Sequence, residues 1–199
     1  MTPDTFLEIL SQAARLKTTP RHCETAPGRS ESVADHSWRI ALMALLLSGE
    51  AEFQNTDMNR VIRMCLIHDL GEAFTGDIPT FEKTQADART EEARFLEWID
   101  GFSSPQREEW RTLLSEMEAL ETPEAKTYKA LDKLEAVISH NESSLSSWLP
   151  LEYDLQRSYG RENVRFSEYL TALRERIDEW TERKIETERE CTVTPSLLE

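Results

Sequence analysis

Leu66-Ile67-His68-Asp69-Leu70-Gly71-Glu72-Ala73-Phe74-Thr75-Gly76-Asp77-Ile78-Pro79 is the stretch around which this 199-residue chain is organised. Val61, Ile62, Met64 and Cys65 precede it, so an apolar helix runs straight into an adjacent His-Asp pair. Neighbouring helical side chains diverge by about 100°, so His68 and Asp69 reach one point only from the rim of a cleft. Glu72 follows His68 at i+4, the spacing that puts two helical side chains on one face. Thr75-Gly76-Asp77 predicts a turn, because glycine accepts backbone angles other residues avoid, and Pro79 closes the helix beyond it. Three titratable groups and a sharp turn after an apolar helix suit a metal site better than a core. A His-Asp pair alone is ordinarily a capped or salt-bridged surface feature. The rest of the chain has to decide.

A chain of 199 residues is long enough for one well-buried domain. Six glycines and eight prolines are few, and regular runs of Leu, Ala, Glu and Arg predict an all-α fold. The formal charge of -15 repels phosphate backbones, which argues against a nucleic-acid binder. Cys23, Cys65 and Cys191 are odd in number and form no CxxC, so neither a zinc knuckle nor a disulfide framework is expected, and reducing cytoplasm is the expected compartment. The N-terminus lacks the basic flank and apolar core of a signal peptide, and no apolar run reaches the roughly 20 residues that cross a bilayer. No repeat or linker divides the chain, so residues 1–187 are expected as one helical domain and 188–199 as a frayed tail.

Working outward, residues 3–16 predict an amphipathic helix with Phe6, Leu7, Ile9, Leu10, Ala13 and Leu16 as its apolar stripe. Residues 17–30 have no period and are expected as an irregular loop carrying Arg21, His22 and Arg29. Residues 31–50 predict a helix with Val33, His36, Ile40, Met43 and Leu47 toward the core and Trp38 packing elsewhere. A lone histidine on an apolar face is more often a hydrogen-bonded core residue than a ligand. Residues 57–70 deliver His68-Asp69, and residues 88–99 with 105–120 predict a helical hairpin. From Glu124 to about Ser147 a helix buries Leu131, Leu134, Ile138 and Leu145, with Asp132 beside them. A carboxylate so placed must be paired or bind a cation, and Lys133, projecting about 100° away, is a poor partner. Residues 162–187 predict a last amphipathic helix.

His36, His68-Asp69 and Asp132 thus sit on three core helices and offer two imidazoles and two carboxylates. That set suits a divalent transition ion such as Mn, Fe, Co or Zn better than Ca, which prefers oxygen cages. Here the chain resembles the HD-domain metal-dependent phosphohydrolases, and more closely their 5′-deoxynucleotidase branch. The resemblance rests on Asp35-His36, His68-Asp69-Leu70-Gly71-Glu72, Gly76-Asp77-Ile78-Pro79 and Leu131-Asp132-Lys133, in motif order over roughly residues 5–185. It implies a single-domain helical bundle, commonly dimeric, that cleaves phosphate from deoxynucleoside 5′-monophosphates. It further implies one metal ion on His36, His68, Asp69 and Asp132, with Glu72 and Asp77 beside the attacking water. Arg21, fifteen residues before His36, falls at the spacing of the family's phosphate-contacting arginine, and Arg29 matches a second one. His22 stands where relatives commonly place an aromatic that encloses the nucleotide.

Glu72 is the expected general base, with Asp77 orienting the water or protonating the leaving oxygen. Arg21 is expected to grip phosphate in a forked contact and to contribute little to folding. His140, eight residues past Asp132, is too far along its helix for a second ion in that site. A hydrolase of another phosphate ester or nucleotide, an oxygenase, and a non-catalytic nucleotide-binding regulator are the alternatives.

Overall fold

The computed structural model describes residues 1–193. Helix α1 spans Pro3–Ala13, its first turn capped by the Thr2 hydroxyl accepting from the Thr5 N–H, and passes through a 3-10 turn at Ala14–Lys17. Strands β1 (Pro20–Ala26) and β2 (Arg29–Ser32) then pair antiparallel. This hairpin replaces the expected irregular loop. The pairing is interrupted by register shifts and its inward residues are polar, so no apolar alternation marks it in the sequence.

Helix α2 spans Val33–Leu47 and starts in a capping box, Ser32 accepting from the Asp35 N–H and Asp35 accepting from the Ser32 N–H. Helix α3 is Met58–Ile67 and helix α4 the short Glu72–Thr75. Helices α5 (Gln85–Asp100) and α6 (Ser104–Ala119) form the expected hairpin. Helix α7 runs over Pro123–Glu142, followed by α8 (Glu152–Ser158), α9 (Arg161–Val164) and α10 (Glu168–Val193).

The core lies where α2, α3 and α7 meet. Val33, Ile40 and Ala44, Val61, Met64 and Cys65, and Ala130, Leu131 and Leu134 are fully buried there. Truncating one such leucine typically costs about 2–5 kcal/mol, so these three helices are held rigidly against one another. They are also the helices from which the expected metal ligands project.

Several expectations are corrected. Helix α7 stops at Glu142 because the chain turns at Ser143, so Leu145 lies in a following 3-10 turn and is not part of the buried side. The last helix is interrupted at residues 165–167, which leaves Phe166 exposed, and α10 then continues through Val193 where fraying was expected. Residues 194–199 of the expected tail lie outside the described residues. Trp38 is 63% exposed, and three of the six α1 stripe residues, Phe6, Leu7 and Leu10, are at least half exposed. The remaining core positions of α2 behave as expected, Met43 being only partly buried.

Candidate metal centre and active site

Helix α3 ends at Ile67, and His68 is its C-cap, its N–H still bonded to Met64 O. The backbone then turns through residues 68–71 before α4 begins. His68 and Glu72 therefore do not share one continuous helix. The turn, not i+4 spacing, carries Glu72 into the cleft. Gly71, whose backbone angles are ordinary for a helix, instead lets α5 pack close, since a Cβ there would lie 2.9 Å from Glu91 Cγ.

The four expected ligands converge. His36 Nε2 lies 3.3 Å from His68 Nε2, 3.8 Å from Asp69 Oδ2 and 3.4 Å from Asp132 Oδ1. His68 Nε2 lies 2.9 Å from Asp69 Oδ2 and 3.9 Å from Asp132 Oδ1. Ligands about 2.1 Å from one ion stand about 3.0 Å apart when adjacent and about 4.2 Å when opposite, so His36, His68 and Asp69, grouped within 4.8 Å of one another, with Asp132 Oδ1 3.4 and 3.9 Å from the two histidines, fit a single small cation. The ring tautomers support the fit. His68 Nδ1 donates to Cys65 O (2.9 Å), and His36 Nδ1 is engaged by the buried Glu135 carboxylate. With Nδ1 so engaged, each ring turns Nε2 toward the other, the atom by which it would hold a cation between them.

Charge is distributed accordingly. Burial and the Arg21 charge oppose protonation of His36, but hydrogen bonds to Asp132 and Glu135 outweigh them and raise it to about 9. Burial would raise Asp69, yet the charge and hydrogen bond of His68 hold it well below the usual carboxylate range. Asp132 is likewise held down against its burial, by Lys129, Lys133 and the two histidines. Its partner is Lys129, 2.9 Å away at i−3, while Lys133 Nζ is 3.6 Å distant. Asp132 thus has a protein partner that the sequence reading did not find, but the paired atom is Oδ2 and Oδ1 remains toward the histidines.

Behind His36 lies a buried polar network. Glu31 and Glu135 are 1% and 0% exposed, with the Ser139 hydroxyl between them at 2.8 and 2.6 Å. Arg21 reaches across, its Nε 3.4 Å from Glu31 and its Nη1 4.0 Å from Glu135. This corrects the expectation that Arg21 contributes little to folding, because it is the cationic side chain beside the buried Glu31 and adds to the charge that Arg39, 3.7 Å away, brings to Glu135. Arg21 Nη1 is nevertheless buried without a hydrogen-bond acceptor, so one donor remains for a ligand.

Glu72 and Asp77 face each other at the other side of the cleft. The turn between them needs Gly76, whose φ is +82°. Burial first, then the charges of Asp69 and Asp77, push the Glu72 carboxyl up to about 10. Asp77 is also raised, chiefly by burial, against the Arg21 charge and its hydrogen bond with Glu72. Two carboxyls so placed share a proton. Glu72 Oε2 is buried without a partner.

Arg21, His22, Asp69, Glu72, Asp77 and Asp132 all line one cavity of about 540 Å³. Arg29 does not. It sits on β2, 61% exposed, bonded to Asp35 (2.9 Å) and Thr25 (2.8 Å), and the substrate role expected for it is withdrawn. Residues that sequence reading missed are Glu135, Glu31, Lys129 and Lys83, the last paired with Glu91 at 2.6 Å. Glu135 follows Asp132 at i+3 and was open to the same argument, since a second carboxylate on a buried helix face needs a partner.

Comparison with known proteins agrees with this geometry. The HD-domain family profile matches residues 13–174. The chain is 32% identical over 145 residues to a Danio rerio protein named 5′-deoxynucleotidase HDDC2, covering 70% of each. It is 33% identical over 140 residues to the Schizosaccharomyces pombe 5′-deoxynucleotidase hdd1, covering 66% of this chain and 67% of that one. A Magnetospirillum magnetotacticum structure described as a predicted metal-dependent phosphohydrolase superposes with a TM-score of 0.71 at 28% identity, over 89% of this chain and 91% of that one. With the profile spanning most of the fold and His36, His68, Asp69 and Asp132 drawn to one point within it, the chain belongs to the HD-domain family.

Proposed function

We propose that this protein is a metal-dependent phosphomonoesterase that converts deoxynucleoside 5′-monophosphates to deoxynucleoside and phosphate. The observation that carries the reading is the meeting of a two-imidazole, two-carboxylate centre with a proton-sharing carboxyl pair in one cavity. Its size falls in the range of small-molecule sites, and relatives named 5′-deoxynucleotidase supply the substrate class.

One divalent transition ion, Mn, Co, Fe or Zn, would be held by His36, His68, Asp69 and Asp132. Such an ion lowers the pKa of water and neutralises charge on phosphate. The chain's own groups do the rest. Arg21 offers its unpartnered Nη1 to a phosphate oxygen. Glu72, buried and close to the ligands, takes the proton of the attacking water as the water oxygen bonds to phosphorus. Asp77 passes a proton to the 5′-oxygen as the P–O bond breaks, so the shared proton is returned and the pair is reset. The test is a phosphate-release screen of the purified protein against deoxynucleoside and ribonucleoside mono- and triphosphates with each metal. Activity on deoxynucleoside monophosphates is expected. Release only from triphosphates, or from no nucleotide with any metal, would refute the reading.

Arg21→Lys is expected to fold and to lose roughly 10–150-fold in kcat/KM, the equivalent of about 1.5–3 kcal/mol for a charge-assisted contact. An ammonium keeps the charge between Glu31 and Glu135 without the fork. Arg21→Ala should in addition unfold more easily, by about 3–5 kcal/mol, because the buried Glu31 loses its counter-charge while Glu135 keeps only Arg39 and His36. Thermal melts and kinetics on both variants separate the two roles, and unchanged kcat/KM in Arg21→Lys would place the phosphate elsewhere.

The single domain over residues 1–187 and the cytoplasmic setting are part of the same proposal. Cys23 and Cys65 are unpaired, and among the described residues no helix is long and apolar enough to cross a membrane. The proposal includes a homodimer, supported by the exposed Phe6, Leu7 and Leu10 of α1 and Trp38, Leu45 and Leu46 of α2. Sedimentation that gives only monomer at micromolar concentration would refute it.

A further inference from the structure

The cleft has a second polar end that neither the metal centre nor the proton pair uses. Glu152, in the first turn of α8, is 3% exposed. Its Oε2 accepts from the Leu149 N–H at 2.6 Å, and its Oε1 faces His140 Nε2 at 2.9 Å and His22 Nε2 at 3.3 Å. The three residues come from α8, the last turn of α7 and β1, and all line the same cavity as the ligands. Burial alone would raise the Glu152 carboxyl, but hydrogen bonds from His140 and Leu149 hold it below the ordinary value, so it is an anion.

An anion here acts on both rings. His140 commits its second nitrogen to Ala136 O at 3.3 Å. His22 commits only Nε2. Among the described residues its Nδ1 has no hydrogen-bond partner, and the ring is 38% exposed toward the cleft. With Nε2 turned to the carboxylate at 3.3 Å, the ring leaves Nδ1 open to the cleft, a nitrogen able to accept a hydrogen bond. Phe81 meets the His22 ring edge-on at 5.7 Å, and the His140 ring lies 6.3 Å away on another side. A wall of flat rings with one oriented acceptor is chemistry that suits a planar heteroaromatic group carrying an N–H donor.

We propose that Glu152 is a positioning residue that locks His22, against Phe81, as the seat of the nucleobase, making this triad the substrate-selecting end of the cleft. The proposal rests on the nucleotide reading above. A purely structural role for Glu152, tying the hairpin to α7 and α8, would have another signature, because a displaced hairpin also moves Arg21 and injures every phosphate ester alike.

The experiment measures kcat/KM for a deoxynucleoside 5′-monophosphate and for 2-deoxyribose 5-phosphate, which has no base, alongside calorimetric binding of deoxyadenosine, which needs no turnover. In His22→Ala the ratio of the two kcat/KM values and the affinity for deoxyadenosine should both fall about 5–150-fold, the range for losing a base-stacking ring. Glu152→Gln should shift both in the same direction by less, and His22→Phe should recover part of the loss by restoring the stacking surface without the acceptor. Equal loss on both esters, or unchanged deoxyadenosine affinity in His22→Ala, would overturn the proposal. Should Glu152→Gln not fold, the His22 variants, at a ring 38% exposed, still decide it. If the wild type binds deoxyadenosine through His22 but releases no phosphate, the phosphomonoesterase reading falls and this one stands.

Discussion

Glu72→Gln is expected to keep its metal and to lose about 10²–10⁴-fold in turnover, the usual contribution of a general acid–base group. Glutamine preserves the shape of the side chain and its hydrogen bond to Asp77, but it cannot carry the proton. The structure sharpens this expectation. Burial and the nearby charge of Asp69 raise Glu72 to about 10, so without a counter-charge it holds a proton through neutral pH. A cation held by Asp69 offsets the second of those causes and returns Glu72 toward the range of a base. The centre and the base are thus coupled through one carboxylate. Metal analysis together with phosphate release checks the result. A Glu72→Gln enzyme within threefold of wild type would assign proton transfer to Asp77 or another group.

His68→Ala should weaken metal binding by roughly 10²–10³-fold. Four-ligand zinc sites contribute about 10–16 kcal/mol in all, which apportions to about 2.5–4 kcal/mol per ligand. His68 lies 2.9–3.9 Å from the other three donors, so its removal opens one whole side of the centre. Asp132→Ala should have a similar effect and should also leave Lys129 without its carboxylate. Competition with a chelator measures both affinities. Full metal occupancy in both variants under that competition would remove these residues from the ligand set.

The sequence by itself determined the helical class and the core faces of α2, α3 and α7, and it singled out the four residues proposed for the centre. These were legible because helical burial repeats every three to four residues, so a polar residue on such a face stands out and must be explained. His36 between Val33 and Ile40, and Asp132 beside Leu131, stand out in this way. The hairpin was not legible, because β1 turns polar residues toward a polar network and carries no apolar alternation. The spacing of Glu72 from His68 suggested the right cleft for a wrong reason: the helix breaks at His68, and the turn through residues 68–71 delivers the carboxylate.

Only the tertiary structure decided pairings between residues distant in the chain. It joined Arg21 to Glu31 and Glu135, gave Asp132 to Lys129, sent Arg29 to Asp35 on the surface, and gathered His22, His140 and Glu152. The physical reason is that burial is written locally, by each residue's place on its own helix. Compensation of a buried charge depends on which side chain from another element reaches it, and that is known only once the helices have packed.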